Sequence, residues 1–198
     1  MKRDREYPNR MEAEALLLDA ETINPGPWAN HSRVAAKCAE SIAKACKDMD
    51  GEKAYVLGLL HDIGRRFGVK HLCHVYDGYM YMLELGYPEA ARICLTHSFA
   101  THALGDFIGR VDVTPEQRQV IDEALSKCEY DDYDRLIQLC DAISLPGGAA
   151  PIEERMNDVK QRYGRYPQVK WDKHIALKSY FTEKAGRDIE ALTAEIKP

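Results

Sequence analysis

The sequence predicts an all-α fold for this chain of 198 residues. Apolar residues recur at helical spacing over most of its length, and no segment has the strict polar and apolar alternation of a half-buried strand. Thr114-Pro115-Glu116-Gln117 is a capping box with proline in the first helical position. Turn signals at Asn24-Pro25, Gly86-Tyr87-Pro88 and Pro146-Gly147-Gly148 separate one helical segment from the next.

The helices can be placed in order along the chain. The first is predicted near 10–23, before the break at Pro25-Gly26-Pro27, and the second runs from His31 to about 48 with Asn30 as its cap. The third, near 52–64, is apolar on almost every side, so we expect it to be central and to end at Gly64. Further helices are predicted near 76–85, 88–98, 100–108, 115–127, 132–144, 151–163 and, with an interruption, 173–195.

Four polar side chains stand among aliphatic neighbours in these predicted helices. His61 and Asp62 lie in the run 59–64, His31 starts on the buried face of its helix, and Asp141 lies in the apolar run 136–143. Buried polar groups need partners, and a shared cation would supply one for all four. The pattern therefore predicts a metal site to which three buried helices contribute ligands.

The order of these residues, a His, then His-Asp, then a distant Asp, resembles the HD-domain metal-dependent phosphohydrolase superfamily. The resemblance covers residues 25–150 and is carried by residues 25–31, by the His-Asp-Ile-Gly-Arg run at 61–65, and by Leu-Cys-Asp-Ala at 139–142. It implies an HD-domain helical bundle. Beyond about residue 150 the resemblance fades, and the predicted helices there form a C-terminal helical extension from 151 to 198. The resemblance also implies a first ion held by His31, His61, Asp62 and Asp141.

Two more histidines resemble the additional ligands found in part of that superfamily. By this resemblance a second ion would share Asp62 and add His74 and His97. The spacing from Leu72 through His74 to Gly78 is closest to bacterial HD hydrolases that split symmetrical dinucleoside tetraphosphates. The alternative is that neither histidine binds metal, since His74 lies at a predicted loop-to-helix junction where a capping or surface role is common. His71, His102 and His174 are assigned no functional role.

Other branches of the superfamily match less well. Gly86-Tyr87-Pro88 lacks the histidine-rich run that precedes this tripeptide in cyclic-dinucleotide phosphodiesterases, so we interpret it as a turn. Arg65 stands where nucleoside-monophosphate phosphatases of the superfamily have a glutamate. Both departures argue against the catalytic arrangements of these two branches.

The ligand types indicate the chemistry. Imidazole and carboxylate donors without thiolate suit one or two divalent ions of Fe, Mn, Co, Ni or Mg. Such ions activate water for attack on phosphorus, so we expect hydrolysis of a phosphoester or phosphoanhydride bond in a small substrate, with a nucleotide as the expected class. Asp62 is predicted to orient the nucleophile, Arg65 to take part in catalysis, and Arg65 and Arg66 to bind substrate phosphate. Alternatively, both arginines are surface cations at a helix C-terminus.

Two other functions share these features. A mixed-valent di-iron oxygenase of the inositol-oxygenase type has a similar ligand pattern, and a regulatory module could bind a nucleotide without turnover. Iron-dependent oxygen uptake would identify the first, and tight binding without product the second.

Composition agrees with one cytoplasmic domain spanning 1–198. A net charge of −5 disfavours a nucleic acid polymer as partner, and the charged N-terminus with its short apolar run at 15–18 predicts neither a signal peptide nor a membrane span. The sequence makes no prediction of oligomeric state. The segment 160–173 mixes cations with aromatics, and it is interpreted either as a cover over the cleft or, more conventionally, as a helix end and a packed tail.

Overall fold

The computed structural model describes residues 5–198, and within them the chain is almost entirely helical, as predicted. Two short 3₁₀ helices, Ile63–Phe67 and Leu104–Asp106, and two paired two-residue strands, β1 (Ser144–Leu145) and β2 (Gly148–Ala149), complete the described part. The α-helices are α1 (Arg10–Ile23), α2 (Pro27–Ala45), α3 (Gly51–Leu60), α4 (Cys73–Glu84), α5 (Pro88–Thr96), α6 (Pro115–Lys127), α7 (Asp132–Ile143), α8 (Ile152–Tyr163), α9 (Gln168–Ala185) and α10 (Ile189–Thr193).

Helix α3 lies at the centre of the bundle. Every residue from Ala54 to Leu60 is buried, which agrees with its apolar sequence. Helix α2 packs along it, and α1, α5 and α7 contact its other sides. The ends of these helices therefore meet around the C-terminus of α3, where His61 and Asp62 follow.

Helix α2 begins earlier than predicted. Pro27 occupies its first turn and Gly26 its N-cap, because proline has the helical φ angle and lacks the N–H that would be unsatisfied there. The expectation that Asn30 caps the helix is wrong, since its side chain lies inside the first turn and accepts a hydrogen bond from Arg33. His31 consequently projects from within the helix.

The chain after α3 differs from the predicted continuous helix to Gly64. Helix α3 ends at Leu60, and Gly64 belongs to the 3₁₀ helix Ile63–Phe67. Gly64 is required for a close approach to α4, because a Cβ atom there would lie 2.0 Å from the carbonyl oxygen of His74 and 2.5 Å from the amide nitrogen of Gly78. The turn out of this segment comes at Gly68, whose φ is 117°.

The predicted helix near 100–108 is absent from the described chain. His102 has a left-handed backbone with φ of 60°, which an α-helix cannot accommodate, and only Leu104–Asp106 forms a 3₁₀ turn. By contrast, α6 starts as predicted: Thr114 and Gln117 cap each other reciprocally.

The C-terminal extension packs back onto the bundle. Helix α9 contacts α7 and α2, and α10 contacts α2. Helix α9 begins at Gln168, five residues before the predicted start, after an α8 that ends at left-handed Gly164. No helix within residues 5–198 combines the length and apolar character needed to cross a membrane.

Candidate metal centre

The six side chains predicted to bind metal lie together at one end of the bundle. They project from four helix ends and from the interior of α2, and the long-range packing of these helices brings them together. Their positions are α2 for His31, the C-terminus of α3 for His61 and Asp62, the first turn of α4 for His74, the C-terminus of α5 for His97, and the last turn of α7 for Asp141.

The first group consists of His31, His61, Asp62 and Asp141. The Nε2 atoms of His31 and His61 are 3.2 Å apart. Asp141 Oδ1 lies 3.0 Å from the Nε2 atom of His31 and 3.7 Å from that of His61. Donor atoms of His31, His61 and Asp62 all lie within 4.8 Å of one another.

The second group consists of Asp62, His74 and His97. Asp62 Oδ1 is 3.1 Å from the Nε2 atom of His74 and 3.7 Å from that of His97. The two Nε2 atoms are themselves 3.4 Å apart. Asp62 thus belongs to both groups, and all three side chains are buried.

The second ring nitrogen of each of these histidines bonds to the backbone. A carbonyl acceptor places the proton on Nδ1 and leaves a lone pair on Nε2, which is the arrangement that orients metal-binding histidines. The accepting carbonyls are Ser144 at 3.2 Å from His31, Gly58 at 2.7 Å from His61, Cys94 at 2.9 Å from His97, and His71 for His74.

These donors fit divalent metal ions. Two imidazole lone pairs that face each other at 3.2 Å or 3.4 Å cannot hydrogen-bond to each other while both protons are held on Nδ1. Two ligand atoms that are each bound to one ion at about 2.1 Å lie about 3 Å from each other. The Nε2–Nε2 distances of the two histidine pairs are close to this value. A cation bound by the facing nitrogens and the carboxylates would satisfy both groups.

The charges in the cluster favour ionised carboxylates. Burial opposes ionisation of Asp62, but the adjacent charge of Arg65 holds the pKa of that carboxyl well below its usual range. The pKa of Asp141 is also well below its usual range, because its close approach to the imidazoles of His31 and His61 outweighs the effect of burial. Burial lowers the pKa of His97 to about 3, so this imidazole is neutral at physiological pH.

A cavity of about 450 Å³ opens in front of the cluster. Arg65 lines it and donates from Nε to Asp62 Oδ2 at 2.5 Å. The structure does not bring Arg66 to this cavity. Its guanidinium stacks over the ring of Tyr81 at 4.3 Å and pairs with Asp19 at 3.2 Å, on the other side of the 3₁₀ helix.

The opposite wall of the cavity comes from α8 and α9. It includes His174, which the sequence left without a role; its Nδ1 accepts a hydrogen bond from the Tyr166 hydroxyl at 2.6 Å. Burial, together with the charge of Lys170, lowers the pKa of His174 to about 3. The sequence feature that could have indicated this wall is the mixture of cations and aromatics at 160–173. His174 lies just beyond it, one helical turn after Lys170. The polar and aromatic residues of this wall include Arg155, Arg162, Tyr163, Lys170 and His174, together with Tyr166 from the connection between the two helices.

The family model described as HD domain matches residues 28–145, which is more than half of the chain. The chain belongs to the HD domain family. No curated protein and no solved structure matches it. Members of the HD domain family are generally metal-dependent hydrolases, and the match extends from before His31 to beyond Asp141, so it includes both ligand groups. It ends before α8 and α9, whose residues form the other cavity wall.

Proposed function

We propose that this HD domain protein is a metal-dependent phosphohydrolase that cleaves a phosphoester or phosphoanhydride bond in a small nucleotide. The observation that carries the proposal is the paired arrangement of imidazoles. Two pairs of facing Nε2 atoms, with Asp62 next to both, lie beside a cavity that is also lined by Arg65.

The proposed roles follow from the contacts. His31, His61, Asp62 and Asp141 would hold one ion, and Asp62, His74 and His97 a second. When bound, such ions lower the pKa of water and offset charge on phosphoryl oxygens. Asp62 is proposed to orient the attacking water, while Arg65 fixes the Asp62 carboxylate and directs its remaining N–H groups to substrate phosphate.

A nucleotide is supported by the size and lining of the cavity. A volume of about 450 Å³ lies within the range of sites for small organic ligands and exceeds the needs of a free phosphate. Tyr163, which is 44% exposed on the cavity wall, offers a ring face on which a base can stack, and Arg162 lies beside it.

Within this class we propose a symmetrical dinucleoside tetraphosphate as the substrate. The support is the resemblance of the segment from Leu72 to Gly78. Part of that segment has a packing reason, since Gly78 lies against Gly64 and against Cys94 of α5.

The test is a hydrolysis screen on purified protein that has been stripped of metal and reloaded with Mn, Co, Ni, Fe or Mg. We expect phosphate or nucleotide release from dinucleoside polyphosphates to exceed that from mononucleotides and sugar phosphates. His61→Ala and Asp62→Ala should abolish it. His102→Asn is the matched control, because His102 stacks on Tyr130 at 3.5 Å outside the cluster.

Other outcomes would replace the proposal. Oxygen uptake with iron and an organic diol or phosphonate, without phosphate release under anaerobic conditions, would identify an oxygenase built on the same ligands. Tight nucleotide binding with no product for any metal would identify a binding module.

A further inference from the structure

The cavity wall outside the matched HD region contains an unusual lysine. Lys170 lies in the first turn of α9 and is only 8% exposed. Its ammonium donates to the carbonyl oxygens of Ser98 at 2.8 Å and Asp106 at 3.1 Å. Because Ser98 directly follows His97, this cation is held beside the second ligand group.

Lys170 differs from the other lysines and arginines that line the cavity. Arg65 pairs with Asp62 at 2.5 Å, and Lys70 pairs with Asp77 at 2.6 Å. Arg155 and Arg162 both pair with Asp158, at 2.9 Å and 2.8 Å. Within the described residues 5–198, Lys170 has no such ion pair: both of its hydrogen bonds go to neutral carbonyls.

This position is unfavourable for a lysine on three counts. Burial penalises the ammonium and lowers its pKa, and the charges of Asp141 and Asp106 offset only part of this effect. The positive end of the α9 dipole disfavours a cation in the first turn. An ammonium has three N–H donors, and only two of them are used by the protein contacts. Such breaches of local rules concentrate at functional sites, where a ligand compensates for them.

We propose that Lys170 binds a phosphate group of the substrate and so makes the C-terminal extension part of the substrate site. The inference rests on the proposed function for the identity of the anion. The N-cap of α9 is Pro167, which provides no side-chain cap for the N–H groups of the first turn, and an anion beside Lys170 would also be favoured by that helix end. The HD region would then supply the metal ligands, and α9 the charge that selects and holds the substrate.

The experiment measures binding of inorganic pyrophosphate to the manganese-loaded protein by calorimetry. Lys170→Met keeps the apolar stem and removes the charge, and we expect its affinity to fall about 10- to 100-fold, as for loss of a charged hydrogen bond. Lys173→Met is the matched control, because Lys173 lies on the same helix and is exposed. Its affinity should stay within about twofold, since a surface charge on this helix lies outside the cavity. Lys170→Arg, which keeps the charge, should recover part of the affinity.

Equal affinity in Lys170→Met and Lys173→Met would overturn the proposal, as would a lower melting temperature in Lys170→Met with unchanged affinity. If Lys170→Met does not fold, amine acetylation of the wild type replaces it. Pyrophosphate should then reduce the acetylation of Lys170, while Lys173 should be acetylated to the same extent with and without pyrophosphate. Equal acetylation of Lys170 in both conditions would contradict the proposal. A third outcome separates the two proposals. If Lys170→Met loses pyrophosphate affinity but the wild type hydrolyses no substrate in the screen, the proposed function is refuted and the anion site at Lys170 stands.

Discussion

Replacing Gly64 by alanine tests whether the close approach of two backbones positions the second ligand group. The new Cβ would lie 2.0 Å from the carbonyl oxygen of His74, and an ordinary carbon–oxygen contact is about 3.3 Å. The two segments must therefore separate by about 1.3 Å to reach that contact distance. The atoms in the way are backbone atoms of α4, so no side chain can rotate to make room.

The cost of Gly64→Ala should be that of an overpacked core, up to about 3 kcal/mol. In a chain of this size that corresponds to a melting temperature lower by about 6 to 12 °C. Because the displaced carbonyl belongs to His74, the separation of 3.1 Å between His74 and Asp62 should also change. We therefore expect weaker binding of a second metal ion.

Thermal unfolding and elemental analysis of manganese-loaded protein provide the assay. Gly147→Ala is the matched control, because nothing lies within 4 Å of a Cβ atom at Gly147 and its φ is not positive. If Gly64→Ala has the same melting temperature as Gly147→Ala and the same metal content as the wild type, the steric reasoning is wrong.

Three further predictions concern other parts of the molecule. His174 has a folded pKa of about 3 against an ordinary value of 6.5, so its neutral form stabilises the fold above pH 6.5, and this stability is lost as pH falls towards 3. In His174→Asn the free energy of unfolding should fall less between pH 6.5 and pH 3 than in the wild type, by up to about 5 kcal/mol. The same decrease in both proteins, measured by denaturant titration at each pH, would contradict this. Arg65→Met should lower kcat/KM about 10- to 100-fold, whereas Arg66→Met should not, and equal effects in steady-state assays would show that Arg66 also reaches substrate. Thr114→Ala should lower the free energy of unfolding by about 1 kcal/mol through loss of the α6 cap, measured by denaturant titration.

The all-α fold could be predicted because helical periodicity and capping signals are local. The bounds of α1 and α6 follow from such signals: Asn9 and Thr114 cap their helices through reciprocal side-chain bonds. The errors arose where a second constraint overrode the local one. Pro27 begins α2 before Asn30 can cap it, and the left-handed φ of His102 prevents a helix that composition alone allows.

The convergence of His31, His61, Asp62 and Asp141 could be anticipated because each of them lies among apolar residues, whereas His74 and His97 were indicated by the family resemblance. The opposite wall of the cavity could not be anticipated, because its residues are ordinary members of a polar, aromatic segment until α9 folds back. Lys170 contacts Ser98 across 72 positions of sequence, and nothing local to residue 170 specifies that contact. The position of Arg66 also depends on long-range contacts, since its guanidinium packs on Tyr81 and pairs with Asp19 and does not line the cavity with Arg65.

Metal binding by wild type and Asp62→Asn tests the central claim most directly, because Asp62 is the one residue common to both candidate groups. Manganese at about 100 times its dissociation constant should stabilise the wild type by about 2.7 kcal/mol, which raises the melting temperature by about 5 to 11 °C. Elemental analysis of the wild type should find one or two ions per chain. Asp62→Asn should bind much less metal, and manganese should not raise its melting temperature. A wild-type protein that carries no divalent ion and melts at the same temperature with and without manganese would contradict the account.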